Sequence, residues 1–215
     1  MQTFTEENYL KAIFHLSAET PVVTTNQIAC VLNTKAASVT DMIKRLSEKQ
    51  LVNYARYQGV SLTSCGEKVA LNIVRKHRLW EYFLVEKLNF RWDEVHDMAE
   101  ELEHISSVEL IDRLDEFMEY PEYDPHGDPI PNKHGELKPS RLRPVLTLEA
   151  GDEGVISGVA NHSAAFLQYL EKLKLTLGKR ISILEVFTYD SSVELEVDGT
   201  KLNISREVAK NLLVG

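Results

Sequence analysis

The chain has 215 residues, of which 43% are hydrophobic and 27% are charged, proportions that are ordinary for a globular protein. No apolar run approaches the roughly 20 residues that a membrane-spanning helix needs, and the acidic N-terminus lacks the basic flank of a signal peptide. Two cysteines are too few for a disulfide framework, so the composition argues against a disulfide-rich secreted protein and indicates a cytoplasmic one.

The net charge of −9 is distributed unevenly along the chain. Residues 1–64 have six basic and five acidic side chains, whereas residues 65–140 have nine basic and eighteen acidic ones. The first third can therefore approach the phosphates of a nucleic acid, while the middle third offers carboxylates to cations. The same distribution is also compatible with an ordinary solvated surface.

The N-terminal part of the chain predicts three helices followed by a β-hairpin. Apolar residues at helical spacing occupy 5–19, behind a Thr5 cap. A short helix is predicted at 25–32 and a third helix at 35–49. Two β-rich runs around a turn at Gly59 then predict the hairpin. This order is that of a winged helix-turn-helix.

In a winged helix-turn-helix the later helix enters the major groove, and the residues near its N-terminus read the bases. Small and hydroxylated side chains suit base edges, and basic ones suit phosphates. The candidate DNA-binding residues are Lys35, Ala37, Ser38, Thr40, Asp41, Lys44 and Arg45 on this helix and Arg56 in the hairpin. The alternative is a small helical core with an ordinary basic surface, and the pattern by itself does not decide between the two.

The rest of the chain predicts long helices, an irregular segment and then short strands. Helical spacing runs from 65 to 88 and from 93 to 117, the second stretch being one helix or a pair. Five of the seven prolines lie in 121–139, which predicts an extended or turn conformation. Short β-rich runs, the first at 145–149, predict a small β-barrel that one helix at 163–173 interrupts.

Six potential metal ligands lie on the two predicted middle helices. Two are one turn apart on the first helix, and four lie at relative positions 0, 4, 7 and 8 of the second, within an arc of about 100°. Imidazole and carboxylate without thiolate suit Mn²⁺, Fe²⁺, Co²⁺, Ni²⁺ or Zn²⁺, and six residues are enough for two sites. The residues are His77, Glu81, His96, Glu100, Glu103 and His104. The alternative is that an acidic helix surface contains these residues by chance.

Three segments resemble the diphtheria toxin repressor family of metal-dependent regulators, which includes the manganese transport regulators. They are KHRLWEYFLVEKL at 76–88, WDEVHDMAEELEH at 92–104 and PEYDPHGDPIP at 121–131. The resemblance extends over essentially the whole chain and implies a mainly α protein with a small β domain. The implied domains are a winged helix-turn-helix DNA-binding domain at 1–64, a helical dimerisation and metal-binding domain at 65–120, a proline-rich linker at 121–142 and an SH3-like β-barrel at 143–215.

The resemblance also implies two metal sites. The ligands of an ancillary site are His77, Glu81 and His96. Those of a primary, activating site are Glu100, Glu103 and His104, with Asn8 where the family has Met or Asp. Lys11 replaces a second acidic ligand of the short manganese regulators, which argues against a binuclear cluster of their kind.

A further ligand is implied from the SH3-like domain. In the longer family members an acidic side chain, four residues before a Phe, reaches the ancillary site. Counting back from Phe166 gives His162, which then completes the ancillary site. The alternative is that Ser163 caps the following helix and His162 is exposed.

These features together predict a metal-activated transcriptional repressor that controls genes of divalent-metal homeostasis. The expected cofactor is Mn²⁺ or Fe²⁺, and the expected partners are a double-stranded DNA operator and a second copy of the chain, with no membrane and no small organic substrate. Glu100 stands where iron-type members have Cys and favours Mn²⁺, whereas the long chain is typical of iron-type members. An enzyme is not expected. The alternatives are a metal-dependent hydrolase and a metal-independent DNA-binding adaptor.

Overall fold

The computed structural model describes residues 2–20, 22–55 and 59–215. Its helices are α1 (Phe4–Glu19), α2 (Thr25–Val31), α3 (Ala36–Glu48), α4 (Ser64–Glu86), α5 (Val95–Leu102), α6 (Val108–Phe117), α7 (Ala164–Lys172) and α8 (Arg206–Asn211). Its strands are β1 (Val52–Ala55), β2 (Gly59–Leu62), β3 (Arg143–Pro144), β4 (Glu153–Val159), β5 (Arg180–Val186), β6 (Val193–Val197), β7 (Thr200–Ile204) and β8 (Leu212–Val214). Among these helices, none is long and apolar enough to span a membrane.

The chain divides into two compact units. The first contains Met1–His77, Glu101–Leu114 and Pro131–Leu137, and the second contains Arg78–Glu100, Asp115–Ile130 and Lys138–Gly215. Each unit has a hydrophobic core of its own.

Helix α1 of the first unit begins with a capping box. The hydroxyl of Thr3 accepts a hydrogen bond from the Glu6 N–H at 3.3 Å, and the Glu6 carboxylate accepts one from the Thr3 N–H at 3.1 Å. Two backbone N–H groups at the helix start are thereby satisfied. The predicted Thr5 cap is wrong, because Thr5 already lies inside α1.

The winged-helix order predicted for the first unit is confirmed. Leu10 of α1 and Ile28 of α2 are fully buried, and they share a core with Val39 and Ile43 of α3. Strands β1 and β2 pair antiparallel from Val52↔Leu62 to Ala55↔Gly59. Because these apolar side chains lie on one face of each helix, the opposite face of α3 is left to solvent.

The stretch predicted as one helix or a pair at 93–117 is a pair, α5 and α6. Helix α5 ends at Leu102, and the hydroxyl of Ser107 accepts a hydrogen bond from the Leu110 N–H at 3.2 Å at the start of α6. Glu103 and His104 therefore lie in the turn after α5 and not on the helix itself. The prediction that four ligands share one helix face is wrong for these two.

The second unit contains a six-stranded antiparallel sheet of order β3-β8-β4-β5-β6-β7, packed with α7 and α8 around one core. This agrees with the predicted SH3-like domain. The strand predicted at 145–149 is wrong, because Val145–Thr147 forms a 3-10 helix. The Leu148 N–H donates to the Val145 carbonyl at 3.0 Å, and this turn places both apolar side chains in the core.

The proline-rich segment contains turns and no helix in the described structure, as predicted, but part of it is tightly packed. Asp124 Oδ1 accepts hydrogen bonds from the backbone N–H groups of His126 at 2.8 Å and Asp128 at 2.9 Å. Gly127 follows with φ +88°, and a Cβ there would meet the Ser157 carbonyl oxygen at 2.1 Å. Only glycine fits this close approach, and the turn that it permits buries His126.

Candidate metal and DNA-binding sites

Helix α3 presents most of the predicted DNA-binding residues to solvent. The exposed ones are Lys35 at the N-cap, Ala37, Ser38, Asp41, Lys44 and Arg45. Thr40 is half-buried, and its hydroxyl donates to the Ala36 carbonyl at 3.0 Å, so its hydrogen is used within the helix. Arg56, the predicted contact in the hairpin, lies outside the described residues.

A first candidate metal centre, the Glu103 cluster, consists of Asn8, Lys11, His77, Glu103 and His104 in the first unit. Glu103 is fully buried, and its Oε2 lies 2.7 Å from Lys11 Nζ and 2.7 Å from His77 Nδ1. Its other oxygen, Oε1, is buried and has no hydrogen-bond partner among the described residues, and the same holds for Asn8 Oδ1. His77, predicted for the ancillary site, thus contacts a carboxylate predicted for the primary site.

The Glu103 carboxylate is held in its ionised form. Burial by itself would raise its pKa, but the hydrogen bond from His77 and the charge of Lys11 lower the pKa below its usual value. A second cation, Lys76, is buried nearby; burial lowers its pKa against the opposing charges of Glu7 and Glu103. An anionic oxygen at Oε1 is consequently available to a cation.

His104 is held by two residues of the first turns of α1. Its Nδ1 lies 2.7 Å from Glu7 Oε2, and the Phe4 ring stacks on the imidazole with centroids 4.6 Å apart at 19°. The other nitrogen, Nε2, lies 4.0 Å from Glu103 Oε1. Neither Glu7 nor Phe4 was predicted as part of a site.

A second candidate metal centre, the Glu81 cluster, consists of Glu81, His96, Asp124, His126 and His162 in the second unit. Glu81, Asp124 and His126 are buried, and each offers a ligand atom within 4.8 Å of those of the other two. Glu81 Oε1 lies 3.3 Å from His96 Nδ1, and Glu81 Oε2 lies 3.5 Å from His126 Nδ1. Carboxylate oxygen and imidazole nitrogen are donors that suit a divalent transition-metal ion.

The pKa values in the Glu81 cluster reflect crowded negative charge. Burial raises the pKa of Asp124 to about 7, and the charges of Asp128 and Glu81 add to this effect. Burial lowers the pKa of His126, but the hydrogen bond and charge of Glu81 outweigh it and raise the pKa to about 9. Neighbouring negative charge contributes to both shifts, although burial is the larger cause for Asp124, and a metal ion can supply positive charge there in place of protons.

His162 lies beside His126 in the second unit. The two rings stack with centroids 4.8 Å apart at 18°, and His162 Nε2 is 3.3 Å from the Val159 carbonyl oxygen and 3.6 Å from Asp128 Oδ2. Ser163 occupies the N-cap position of α7 but makes no capping hydrogen bond through its side chain. These contacts place His162 in the Glu81 cluster, and its role as a metal ligand stays a prediction.

Glu100 is the predicted ligand that the structure leaves most exposed. Its Oε1 lies 3.7 Å from His96 Nε2 one helical turn earlier on α5, and half of its side chain is accessible to solvent. Two buried groups of the Glu81 cluster, Asp124 and His126, were not predicted as site residues, because the sequence indicated only an extended or turn conformation for their segment. The available signal was a histidine between two aspartates in the segment DPHGDP.

Both clusters fit a divalent cation. Their donors are oxygen and imidazole nitrogen, a set that suits Mn²⁺ and Fe²⁺. In the Glu103 cluster, two buried oxygens lack hydrogen-bond donors among the described residues, which is costly unless a cation or water satisfies them. In the Glu81 cluster, two carboxylates lie close together, and a cation relieves their repulsion.

Three family models match the chain in order. The N-terminal DNA binding domain of iron dependent repressors matches residues 1–60, and their metal binding and dimerisation domain matches residues 63–132. The FeoA domain matches residues 143–215. A solved structure described as a manganese-dependent transcriptional repressor in complex with manganese has a TM-score of 0.89 and 32% identity, covering 97% of this chain and 98% of that one.

Curated relatives include a metal regulator of each type. The iron-dependent repressor IdeR of Mycobacterium leprae is 33% identical over 59% of this chain, and the match spans 55% of its own length. The HTH-type transcriptional regulator MntR of Oceanobacillus iheyensis is 32% identical over 56% of this chain and 81% of its own. These relatives are named as regulators and give no support to a hydrolase. The chain belongs to the iron-dependent repressor family of metal-dependent transcriptional regulators, the diphtheria toxin repressor family that its sequence resembles.

Proposed function

We propose that the chain is a cytoplasmic, metal-activated repressor that binds operator DNA as a homodimer and controls genes of divalent-metal homeostasis. The proposal rests chiefly on the Glu103 cluster. Helix α1, which packs in the core of the DNA-binding domain, contributes Asn8 and Lys11 to the cluster that contains the buried Glu103. An ion bound there would be coordinated by residues of α1 and of the turn after α5. Because α1 belongs to the core of the DNA-binding domain, the ion would restrain that domain.

In the first unit the primary ion is held by Asn8, Glu103 and His104, and the assignment of Glu100 to this ion stays a prediction from the sequence. When bound, the ion supplies positive charge to the two buried oxygens, Asn8 Oδ1 and Glu103 Oε1, that have no hydrogen-bond donor among the described residues. A second, ancillary ion is held in the second unit by Glu81 with His96 and His162, and Asp124 and His126 form a buried group with Glu81. The assignment of His77 to this ion stays a prediction from the sequence. The oxygen-rich donor set, with Glu100 in place of a thiolate, favours Mn²⁺ over Fe²⁺.

Metal binding activates the repressor by selecting one arrangement of the DNA-binding domains. A dimer reads two half-sites about 34 Å apart, one helical turn of DNA, and only one separation of the recognition helices fits both major grooves. Because the ion binds the competent arrangement better, it shifts the population towards that arrangement. Ala37 and Ser38 then approach base edges, while Lys44 and Arg45 contact phosphates.

The dimer uses the apolar face of α6. On this face Leu110 and Phe117, seven residues and so about two turns apart, are exposed at 42% and 62% of their surfaces. Exposed large apolar side chains on one helix face are unfavourable in water, and a second copy of the chain covers them.

The test of this function is operator binding with and without metal. Labelled DNA from upstream of a metal-uptake gene is titrated with the chelated protein and with protein that holds Mn²⁺ or Fe²⁺, at one salt concentration. We expect a footprint on an inverted repeat only with metal, by one or two dimers. Equal affinity of the chelated and the metal-loaded protein would show that the chain is a metal-independent DNA-binding protein.

A further inference from the structure

The imidazole of His104 has a defined orientation in the structure. Its Nδ1 lies 2.7 Å from Glu7 Oε2, and the side chains of the two residues are only 11% and 18% exposed. The Phe4 ring covers one face of the imidazole, with centroids 4.6 Å apart and nearly parallel planes. The stacking fixes the plane of the ring, and the hydrogen bond to Glu7 selects which of its two nitrogens faces that carboxylate.

The chemistry of the contact determines which nitrogen has the proton. An ionised carboxylate can only accept hydrogen bonds, so His104 Nδ1 must be the donor. In the neutral imidazole the proton is then on Nδ1, and the lone pair is on Nε2. Nε2 lies 4.0 Å from Glu103 Oε1, the buried oxygen that has no hydrogen-bond donor among the described residues. His104 Nε2 and Glu103 Oε1 are therefore close enough to coordinate the same cation.

We propose that Glu7 is a positioning residue of the metal switch, which holds His104 through Nδ1 so that Nε2 is presented to the ion together with Glu103. This inference rests on the proposed function, because it takes Glu103 and His104 as ligands. A carboxylate behind a metal-binding histidine fixes its tautomer and makes the ligand nitrogen more basic. Phe4 supports the same ring orientation by stacking.

The position of Glu7 in the chain gives this contact a second consequence. Glu7 and Asn8 are adjacent residues of α1, so the helix contributes one side chain that orients a ligand and one that is itself a ligand. Glu6, on the same turn, bonds to Lys49 Nζ with both oxygens, at 2.7 and 2.8 Å. The first turns of α1 thereby contact both the end of α3, through Glu6, and the proposed ion, through Asn8. Glu7 contributes to this arrangement through His104 and does not contact the ion itself.

The test uses the full-length chain with Glu7→Ala, Glu7→Gln and, as a matched control, Glu6→Gln. Mn²⁺ affinity and stoichiometry are measured by calorimetry, and the tautomer of His104 is read from ¹⁵N chemical shifts of the metal-free protein. For Glu7→Ala we expect the affinity at one of the bound ions to fall about 10- to 100-fold, with the number of ions at saturation unchanged. Glu7→Gln should recover part of the affinity, because its amide oxygen still accepts from Nδ1. Glu6→Gln should leave the tautomer unchanged.

Two results would overturn the proposal. If Glu7→Ala keeps both the parent affinity and a single Nδ1-protonated tautomer, then Glu7 does not orient His104. If Glu7→Ala loses one ion at saturation, then Glu7 is itself a ligand and not a positioning residue. The tautomer of His104 is measured on protein without metal and does not depend on DNA binding. Failure of the proposed function would instead appear in the parent protein, whose operator affinity would be the same with and without metal. The two failures are therefore distinguishable.

Discussion

The Glu103 cluster and the Glu81 cluster are both built on a buried carboxylate but differ in the groups that neutralise it. Glu103 Oε2 lies 2.7 Å from the imidazole of His77 and also 2.7 Å from the ammonium of Lys11, whereas the contacts of Glu81 described above are with the imidazoles of His96 and His126. An ammonium group retains its charge at neutral pH and competes with an incoming cation. An imidazole can release its proton when an ion arrives.

This difference predicts that the two clusters bind a metal ion with different affinities. The Glu81 cluster has two buried carboxylates close to one another, so we expect it to bind the ion more tightly and to fill first. The Glu103 cluster already contains a cation, so we expect weaker binding that follows changes in metal concentration. A buried carboxylate therefore does not by itself indicate the affinity of a metal site. The affinity also depends on the cationic group beside the carboxylate, since an incoming ion must compete with it.

The largest effect should come from Glu103→Gln. The amide has no anionic oxygen for the ion, and it removes the buried charge that Lys11 faces, a loss that typically costs about 3–5 kcal/mol of stability. We expect Mn²⁺-dependent operator affinity to fall at least roughly 100-fold. Fluorescence anisotropy measures the binding, and urea unfolding measures the stability. Substitution of the exposed Glu101 by Gln is the control. If Glu103→Gln kept the Mn²⁺-dependent operator affinity of the parent protein, the Glu103 cluster would not be the activating site.

The next effect should come from His126→Ala in the Glu81 cluster. We expect the chain to lose one tightly bound ion, while Mn²⁺ still activates operator binding with affinity reduced about tenfold. Metal stoichiometry and the Mn²⁺-induced rise in melting temperature measure the change, with the exposed His134→Ala as control. Loss of all metal activation with this variant would mean that the two clusters do not differ as described.

A smaller and more uniform effect should come from Arg45→Ala on the exposed face of α3. Because an arginine at this position contacts phosphate, its loss should weaken binding to all sequences by about 1 kcal/mol and reduce the salt slope by about 1. Operator and random DNA are compared at several salt concentrations, with the exposed Lys172→Ala as control. Weaker binding to the operator alone would instead assign Arg45 to base reading.

The smallest effect should come from Glu100→Cys, which changes the ligand type and leaves the clusters otherwise intact. A thiolate is softer than a carboxylate, so the ratio of activation by Mn²⁺ to activation by Fe²⁺ should fall several-fold. Operator binding under anaerobic conditions measures this ratio, with the exposed Glu94→Cys as control. An unchanged order of the two metals would remove the argument that Glu100 sets the preference for manganese.

The fold was predictable from the sequence wherever the pattern is periodic. Val39 and Ile43 are spaced for one helix face and are buried, and the alternating runs of the second unit became β4 to β7. The 3-10 helix at Val145–Thr147 was missed because a short apolar run has no period that separates it from a strand. The chain direction there depends on packing against the core.

The candidate sites were predictable only in part, for a related physical reason. Helical spacing grouped Glu103 and His104 with earlier residues, although both lie beyond the end of α5. The burial of His126 depends on a glycine turn that packs on β4, and the contact of Glu7 with His104 joins residues 97 positions apart. Neither leaves a periodic signal in the sequence, because each arises from tertiary packing.

Metal and operator are expected to select the same arrangement of the chain, and reciprocal coupling between them is the most direct test. The factor by which Mn²⁺ raises operator affinity must equal the factor by which operator DNA raises Mn²⁺ affinity. Mn²⁺ binding is therefore measured by electron paramagnetic resonance with and without saturating operator, for the parent protein and for Glu103→Gln. We predict that the operator tightens the weaker Mn²⁺ site of the parent at least tenfold and leaves the variant unchanged. Equal Mn²⁺ affinity with and without operator in the parent would contradict the account.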